Sequence, residues 1–254
     1  VEVRFAPACD NCVLVEDVAA LMDDRTRLVA ISFVEFATGF RNDLDALASL
    51  CHQRGAYLCV DGIQGLGALQ LSVAQPPLDF LATHGAKWML GPIGAGFLYV
   101  RRALLPLLEP VMTGWRSVEH PDDYFRYDSP LRNSGERFEP GSPNVTGLLG
   151  LEAAMTLLLD TGLAEIEARI FELTDHLIAG LQAQGCTITT PIAHHHERSG
   201  IVCFRHPTVD PETLMQRLHA EGVIVSLRGD VIRVSPHFYN TEDDLQRLLD
   251  ALPT

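Results

Sequence analysis

Residues 28–34, LVAISFV, run apolar and β-branched without alternation, and no other feature restricts the fold as much. Such a run reads as a strand buried on both faces of a parallel sheet. Parallel neighbours must be joined by a crossover, and residues 43–54 supply one. Leu44, Leu47, Ala48, Leu50 and Cys51 recur there at helical spacing, with Gly55 just past the end. Residues 57–60 (YLCV) then give a second strand that stops at Asp61. The order strand, helix, strand implies a right-handed crossover and a parallel sheet.

Further strands are expected at residues 79–82 and 96–100, the latter after a Gly-Pro-rich turn, GPIGAG. Residues 112–144 are irregular, rich in Pro, Gly, Arg and aromatic side chains, and loops of that length usually serve function or an interface. Helical spacing returns at 145–160 and 163–184, where Ile166, Ile170, Leu173, Leu177 and Leu181 form a stripe. This helix pair is expected to bridge two domains. Short strands follow at 187–190, 201–204, 223–227 and 231–235. A helix is expected at 211–221, and a last one from about 242 to 252 with Thr241 as its N-cap. The fold class is therefore α/β, with a mostly parallel large domain over residues 1–160 and a small α+β domain over 161–254.

A chain of 254 residues with 47% hydrophobic content can bury a sizeable core. Its 33 acidic against 19 basic residues leave a net charge of −14, which opposes nucleic acid and anionic membranes as partners. No run approaches the ~20 apolar residues of a membrane span, and the N-terminus lacks a basic stretch followed by an apolar one, so a cytoplasmic location is expected. Six scattered cysteines fit reduced thiols. Cys9 and Cys12 form a C-x-x-C, but no second pair or histidine follows at zinc-ligand spacing, so incidental cysteines outweigh a metal or redox site. His194, His195 and His196 lie in a polar loop and cannot converge on one ion without an unusual backbone, so no metal is expected. The glycines of GPIGAG do not make the dinucleotide-binding pattern. Trp115, Arg116, Tyr124, Phe125, Arg126 and Tyr127 suit a dimer interface or an active-site wall better than a nucleic-acid platform.

Asp61 stands at the carboxyl end of a strand, the edge where open parallel sheets bind ligands. Gln64 follows three residues later, and Lys87 comes after a neighbouring strand. Residues 60–71 (VDGIQGLGALQL), 79–100 (DFLATHGAKWMLGPIGAGFLYV), 137–144 (RFEPGSPN) and 231–249 (VIRVSPHFYNTEDDLQRLL) carry a resemblance over most of the chain. In this order and spacing they resemble the class V aminotransferases. These are pyridoxal 5'-phosphate (PLP) enzymes of fold type I, a group that includes cysteine desulfurases, kynureninases and isopenicillin N epimerase. The resemblance implies that Lys87 holds PLP as a Schiff base and later moves protons at the substrate carbon. It implies that Asp61 pairs with the pyridine nitrogen and that Gln64 bonds the ring oxygen. Thr83 and His84 fall where the family places phosphate ligands. Ser142 matches the position that reaches the cofactor phosphate of the other subunit, which implies a homodimer. Arg233 matches the arginine that grips the carboxylate of an amino-acid substrate.

The same resemblance locates departures. Desulfurases carry a nucleophilic cysteine on a loop before the carboxylate-binding arginine, whereas residues 228–233 here read RGDVIR, so chemistry of that kind is not expected. Cys203 reads as a buried strand thiol. Phe36 stands where the family commonly has an asparagine, and Glu35 with Phe36 is expected to shape the pocket instead. Family members also have a segment ahead of the point matching Val1, holding a phosphate-binding turn and a ring-stacking aromatic. The chain is therefore expected to be N-terminally incomplete. Two readings remain: a PLP enzyme acting on an amino acid by transamination, elimination, C–C cleavage or epimerisation, or a non-catalytic relative that keeps the dimer scaffold.

Overall fold

In the computed structural model, which describes residues 1–75 and 77–253, the expected strand–helix–strand unit is present. A short helix α1 (Val15–Leu21) precedes β1 (Leu28–Ser32), α2 (Leu44–Gln53) and β2 (Tyr57–Asp61). Asp43 caps α2 by accepting a hydrogen bond from Ala46 N–H. β3 (Phe80–His84) and β4 (Gly96–Val100) complete a four-stranded sheet of order β1-β2-β3-β4. The first three strands run parallel, and β4 returns antiparallel to β3 through the turn that carries Lys87.

Double-sided burial of β1 is not found. Val29 and Ile31 pack against the core, whereas Leu28 on the other face is 50% exposed. β1 lies at the sheet edge, and the buried side chains of this sheet, Leu58, Val60 and Leu81, all belong to one face. The apolar run forms the expected strand, and among the described residues its cover is on one side.

Residues 112–144 are mostly without regular structure, with an isolated bridge between Val118 and Leu131 and a 3-10 turn at Gly135–Phe138. Then come α3 (Val145–Thr161), capped by Asn144, and α4 (Leu163–Ala183). A bend of 79° at Gly162, whose φ is +95°, separates them. Among the described residues no single helix is long and apolar enough to cross a membrane.

A second, fully antiparallel sheet has the order β5-β6-β8-β7, from β5 (Thr187–Ile188), β6 (Val202–Arg205), β7 (Ser226–Arg228) and β8 (Val231–Val234). α5 (Pro211–Ala220) and α6 (Glu242–Asp250) pack on it. Thr241 closes a capping box with Asp244 at the start of α6, as its position suggested. Two apolar clusters result. One joins α1, α2, the first sheet and the start of α4; the other joins the rest of α4 to α5, α6 and β6–β8. α4 therefore does the bridging expected of the pair, through Ile166 and Ile170 on one side and Leu173, Leu177 and Leu181 on the other, while α3 buries Leu151 and Leu158 in the first cluster alone.

Candidate active site

The carboxyl ends of the parallel strands stand in one row. Ser32, Asp61 and Ala82 are in register across β1, β2 and β3, on the open face of the sheet. Asp61 is exposed, and its Oδ1 accepts from Ile63 N–H at 2.9 Å, while Oδ2 takes no donor among the described residues. The turn after it is tight: Gly62 N–H bonds Ala82 O at 2.8 Å, and Gly65 N–H bonds Gly62 O at 3.0 Å. Gly65 must be glycine, because a Cβ there would stand 2.1 Å from the Phe33 ring.

Gln64 is buried in that turn and accepts from the Trp88 indole N–H at 3.2 Å. Trp88 carbonyl in turn lies 2.9 Å from His237 Nε2, on the segment after β8, and the two rings are 5.1 Å apart. Burial holds the His237 pKa below the ordinary imidazole value. This buried chain of contacts fixes the residue next to Lys87 from two sides, the turn after β2 and the segment after β8.

Lys87 projects from the turn between β3 and β4. Gly85 N–H bonds Ala95 O at 2.7 Å, Gly91 N–H bonds Gly85 O at 2.8 Å, and Leu90 N–H bonds Lys87 O at 3.0 Å with Leu90 held at φ +57°. The Lys87 pKa is lowered, first by desolvation of the ammonium and then by the Arg233 and Arg228 charges, against an upward pull from Asp61. Three elements thus bring an amine, a carboxylate and two guanidinium groups within electrostatic reach of one another.

Arg233 donates from Nη1 to Phe36 O at 2.9 Å, and its Nε is buried without a partner. Arg228 Nε is likewise buried and unpartnered. Neither side chain joins an ion pair among the described residues. Sequence reasoning does not reach Arg228, because its signal is the register of a hairpin. In the β7–β8 hairpin Ser226 faces Arg233 and Arg228 faces Val231, so strand parity places both arginines on one face. Glu35 contributes a further carboxyl. It accepts from Asn42 Nδ2 at 2.7 Å, and burial pushes its pKa up, with Asp61 adding to the rise.

Of the other expected residues, Thr83 lies on the Leu81 face of β3, away from Asp61, with its Oγ1 3.9 Å from Met89 Sδ. Thr83 and His84 end β3, and Gly94 N–H donates to His84 Nε2 at 2.9 Å, which ties that ring to the returning turn. Ser142 is exposed in the loop before α3, and only its neighbour Asn144 reaches the Lys87 turn, through Gly94 O at 3.2 Å. Phe36 points outward at 54% exposure, its carbonyl rather than its ring meeting Arg233. Cys203 is buried opposite Arg233, with its thiol on Ala37 O at 3.3 Å and its pKa raised by desolvation.

The residues present fit an aromatic cofactor that bears an aldehyde and anionic groups. An amine of lowered basicity, a carboxylate oxygen without a partner and two arginines with orphaned buried Nε atoms stand within electrostatic reach of one another, and these are the donor and acceptor types such a group requires.

The family described as aminotransferase class-V matches residues 1–248. A probable cysteine desulfurase of Halalkalibacterium halodurans is 33% identical, over 96% of this chain and 61% of its own. The uncharacterized aminotransferase YcbU of Bacillus subtilis is 26% identical, over 98% of this chain and 65% of its own. Among solved structures, the apo cysteine desulfurase of Thermococcus onnurineus NA1 superposes with a TM-score of 0.86 at 26% identity, covering 97% of this chain and 64% of that one. The chain thus spans somewhat under two thirds of the length of the relatives it matches.

Proposed function

This chain belongs to the class V aminotransferase family, and from that premise we propose that it is the cofactor- and substrate-binding part of a PLP enzyme acting on an amino acid. The observation that carries the reading is the convergence of Lys87, Asp61, Arg228 and Arg233 from a turn, a strand end and a hairpin. The cofactor is pyridoxal 5'-phosphate, which when bound supplies an electron sink for the pair released at the substrate α-carbon.

Lys87 is the attachment point. Its lowered pKa increases the share of neutral amine, which serves both to attack a carbonyl and to accept a proton from the α-carbon. Asp61, whose Oδ2 takes no donor among the described residues, holds a proton on the ring nitrogen. Gln64 has its carbonyl on Trp88, so its amide N–H is the part left to donate to the ring oxygen. The resemblance gives the phosphate to Thr83 and His84, of which His84 alone shares the Asp61 face, and gives Ser142 the phosphate in the second subunit of a homodimer. Arg233 orients the substrate carboxylate through its fork, and Arg228 adds a second positive charge on the same face.

The reaction is transamination, elimination, C–C cleavage or epimerisation rather than desulfurase chemistry of the usual kind. Gly229 and Asp230 join β7 to β8 directly, leaving no loop for a nucleophilic cysteine, and Cys203 is buried with its thiol held protonated. A second reading is a scaffold that keeps the fold without catalysis, since this chain spans under two thirds of the length of its relatives. One experiment separates the two. Purified protein incubated with PLP gains visible absorbance, and borohydride reduction followed by peptide mapping places the pyridoxyl group on Lys87. Retention no greater than in Lys87→Ala would overturn the enzyme reading.

A further inference from the structure

The C-x-x-C near the N-terminus takes part in none of this chemistry, yet its backbone is specifically shaped. Asp10 and Asn11 have φ of +49° and +66°, the left-handed pair of a two-residue hairpin turn, and Asp and Asn are among the few non-glycine residues that tolerate it. Cys9 and Cys12 consequently face each other. Cys9 N–H donates to Cys12 O and Cys12 N–H to Cys9 O, both at 2.9 Å. In an antiparallel pair of this kind the Cα atoms are about 5.5 Å apart and both Cβ atoms leave on the same face. That Cα spacing lies inside the range a disulfide accepts. The turn is also anchored from outside, since Asn11 Nδ2 donates to Thr189 O at 2.9 Å.

We propose that Cys9 and Cys12 are a reversible dithiol–disulfide site whose co-reactant is a low-molecular-weight disulfide such as oxidised glutathione. Cys9 is exposed and Cys12 half-buried, so Cys9 is the entry thiol. Desolvation, with Glu197 and Asp10 nearby, raises the Cys12 pKa, which makes it the slower nucleophile and suits it to the resolving role. The Cys9 thiolate attacks one sulfur of the oxidant, and one reduced glutathione leaves as the mixed disulfide forms. Cys12, losing its proton, then attacks the Cys9 sulfur and expels the second. Two thiols are oxidised, one disulfide is reduced to two thiols, and no other reagent is needed.

The same geometry makes the bond labile. A hydrogen-bonded pair holds its Cβ atoms farther apart than the ~3.8 Å a disulfide prefers, so closure strains the turn and favours easy reduction. The remaining four cysteines are buried or half-buried; burial and the Asp79 charge push Cys51 up to about 11. Asn11 lines a hollow of about 190 Å³ together with Thr38, Arg228 and Asp230, so the turn abuts the hairpin that carries the two arginines.

The test is peptide mapping by mass spectrometry of the folded chain after equilibration with graded ratios of oxidised to reduced glutathione. The peptide holding Cys9 and Cys12 should lose two hydrogens without retaining an adduct, and should return on addition of reduced glutathione. Cys12→Ser should accumulate a glutathione adduct on Cys9, and Cys9→Ser should leave Cys12 largely unmodified. Accumulation of the adduct on Cys9 in the unaltered chain, disulfide-linked dimers in its place, or no reaction under conditions that modify Cys12→Ser would each overturn the proposal. Cofactor retention on Lys87 is read separately, so failure of either idea leaves the other standing.

Discussion

The two sheets differ in cover within the part of the protein that this chain spans. Parallel sheets are normally covered on both faces and antiparallel sheets on one. Here the parallel strands β1 and β2 are covered on one face, while the antiparallel strands β6 and β8 are covered on both. Val202, Phe204, Ile232 and Val234 enter the second cluster, and Ile201, Cys203 and Val231, on the opposite face, enter the first. The small sheet is therefore a wall between two cores. The large sheet offers one polar-ended face to ligands, and the candidate site stands on it with Arg233 reaching in from the wall. Within the length this chain spans, cover follows from what packs against each strand; more than a third of the length of the relatives lies outside the match.

This contrast can be broken at several points. Phe204 is fully buried in the small sheet, and Phe204→Ala should cost about 4 kcal/mol, read from the urea midpoint; a loss under about 1 kcal/mol would mean the wall is looser than described. In the large sheet the counterpart is a charge. Asp79 is wholly buried and holds Leu58 N–H at 2.8 Å, His52 at 3.1 Å and Arg101 at 2.8 Å, tying β2 to β3. Asp79→Ala should cost about 3 kcal/mol by stranding those partners.

A smaller effect, with a pH signature, belongs to His237, which links the two sheets through Trp88. Its folded pKa lies below 6.5, so the unfolded chain takes up the proton first as pH falls. The contribution is complete above 6.5 and is lost as pH descends through the folded value. The melting temperature should therefore drop between pH 7.5 and pH 5.5, and the drop should be shallower in His237→Phe. Parallel pH curves would remove His237 from the link. The smallest effect is expected on the open face: Leu98, 54% exposed, should change stability by no more than about 0.5 kcal/mol as Leu98→Ser. A loss above 2 kcal/mol would show that this face is covered in solution.

What the sequence disclosed follows the same division. Elements with local signals were legible: the periodicity of α2 and α4, the Thr241 cap and the strand ending at Asp61 were all readable from short windows. Lys87 and Asp61 could be paired because the motif order carried them. Arg228 required the register of a hairpin, and the Gln64–Trp88–His237 contacts required residues as much as 173 positions apart to be placed together, which no local pattern encodes. The cover of β1 is a related case. An apolar run states what a strand can bury, while the partners that bury it lie elsewhere.

α4 has a thermodynamic consequence of its own. At 21 residues it extends about 31 Å, with roughly half its length in each apolar cluster. A half-helix of about ten residues is marginal in water. Melting either cluster therefore withdraws helix from the other, and α4 couples the two halves of the chain into one cooperative unit of unfolding.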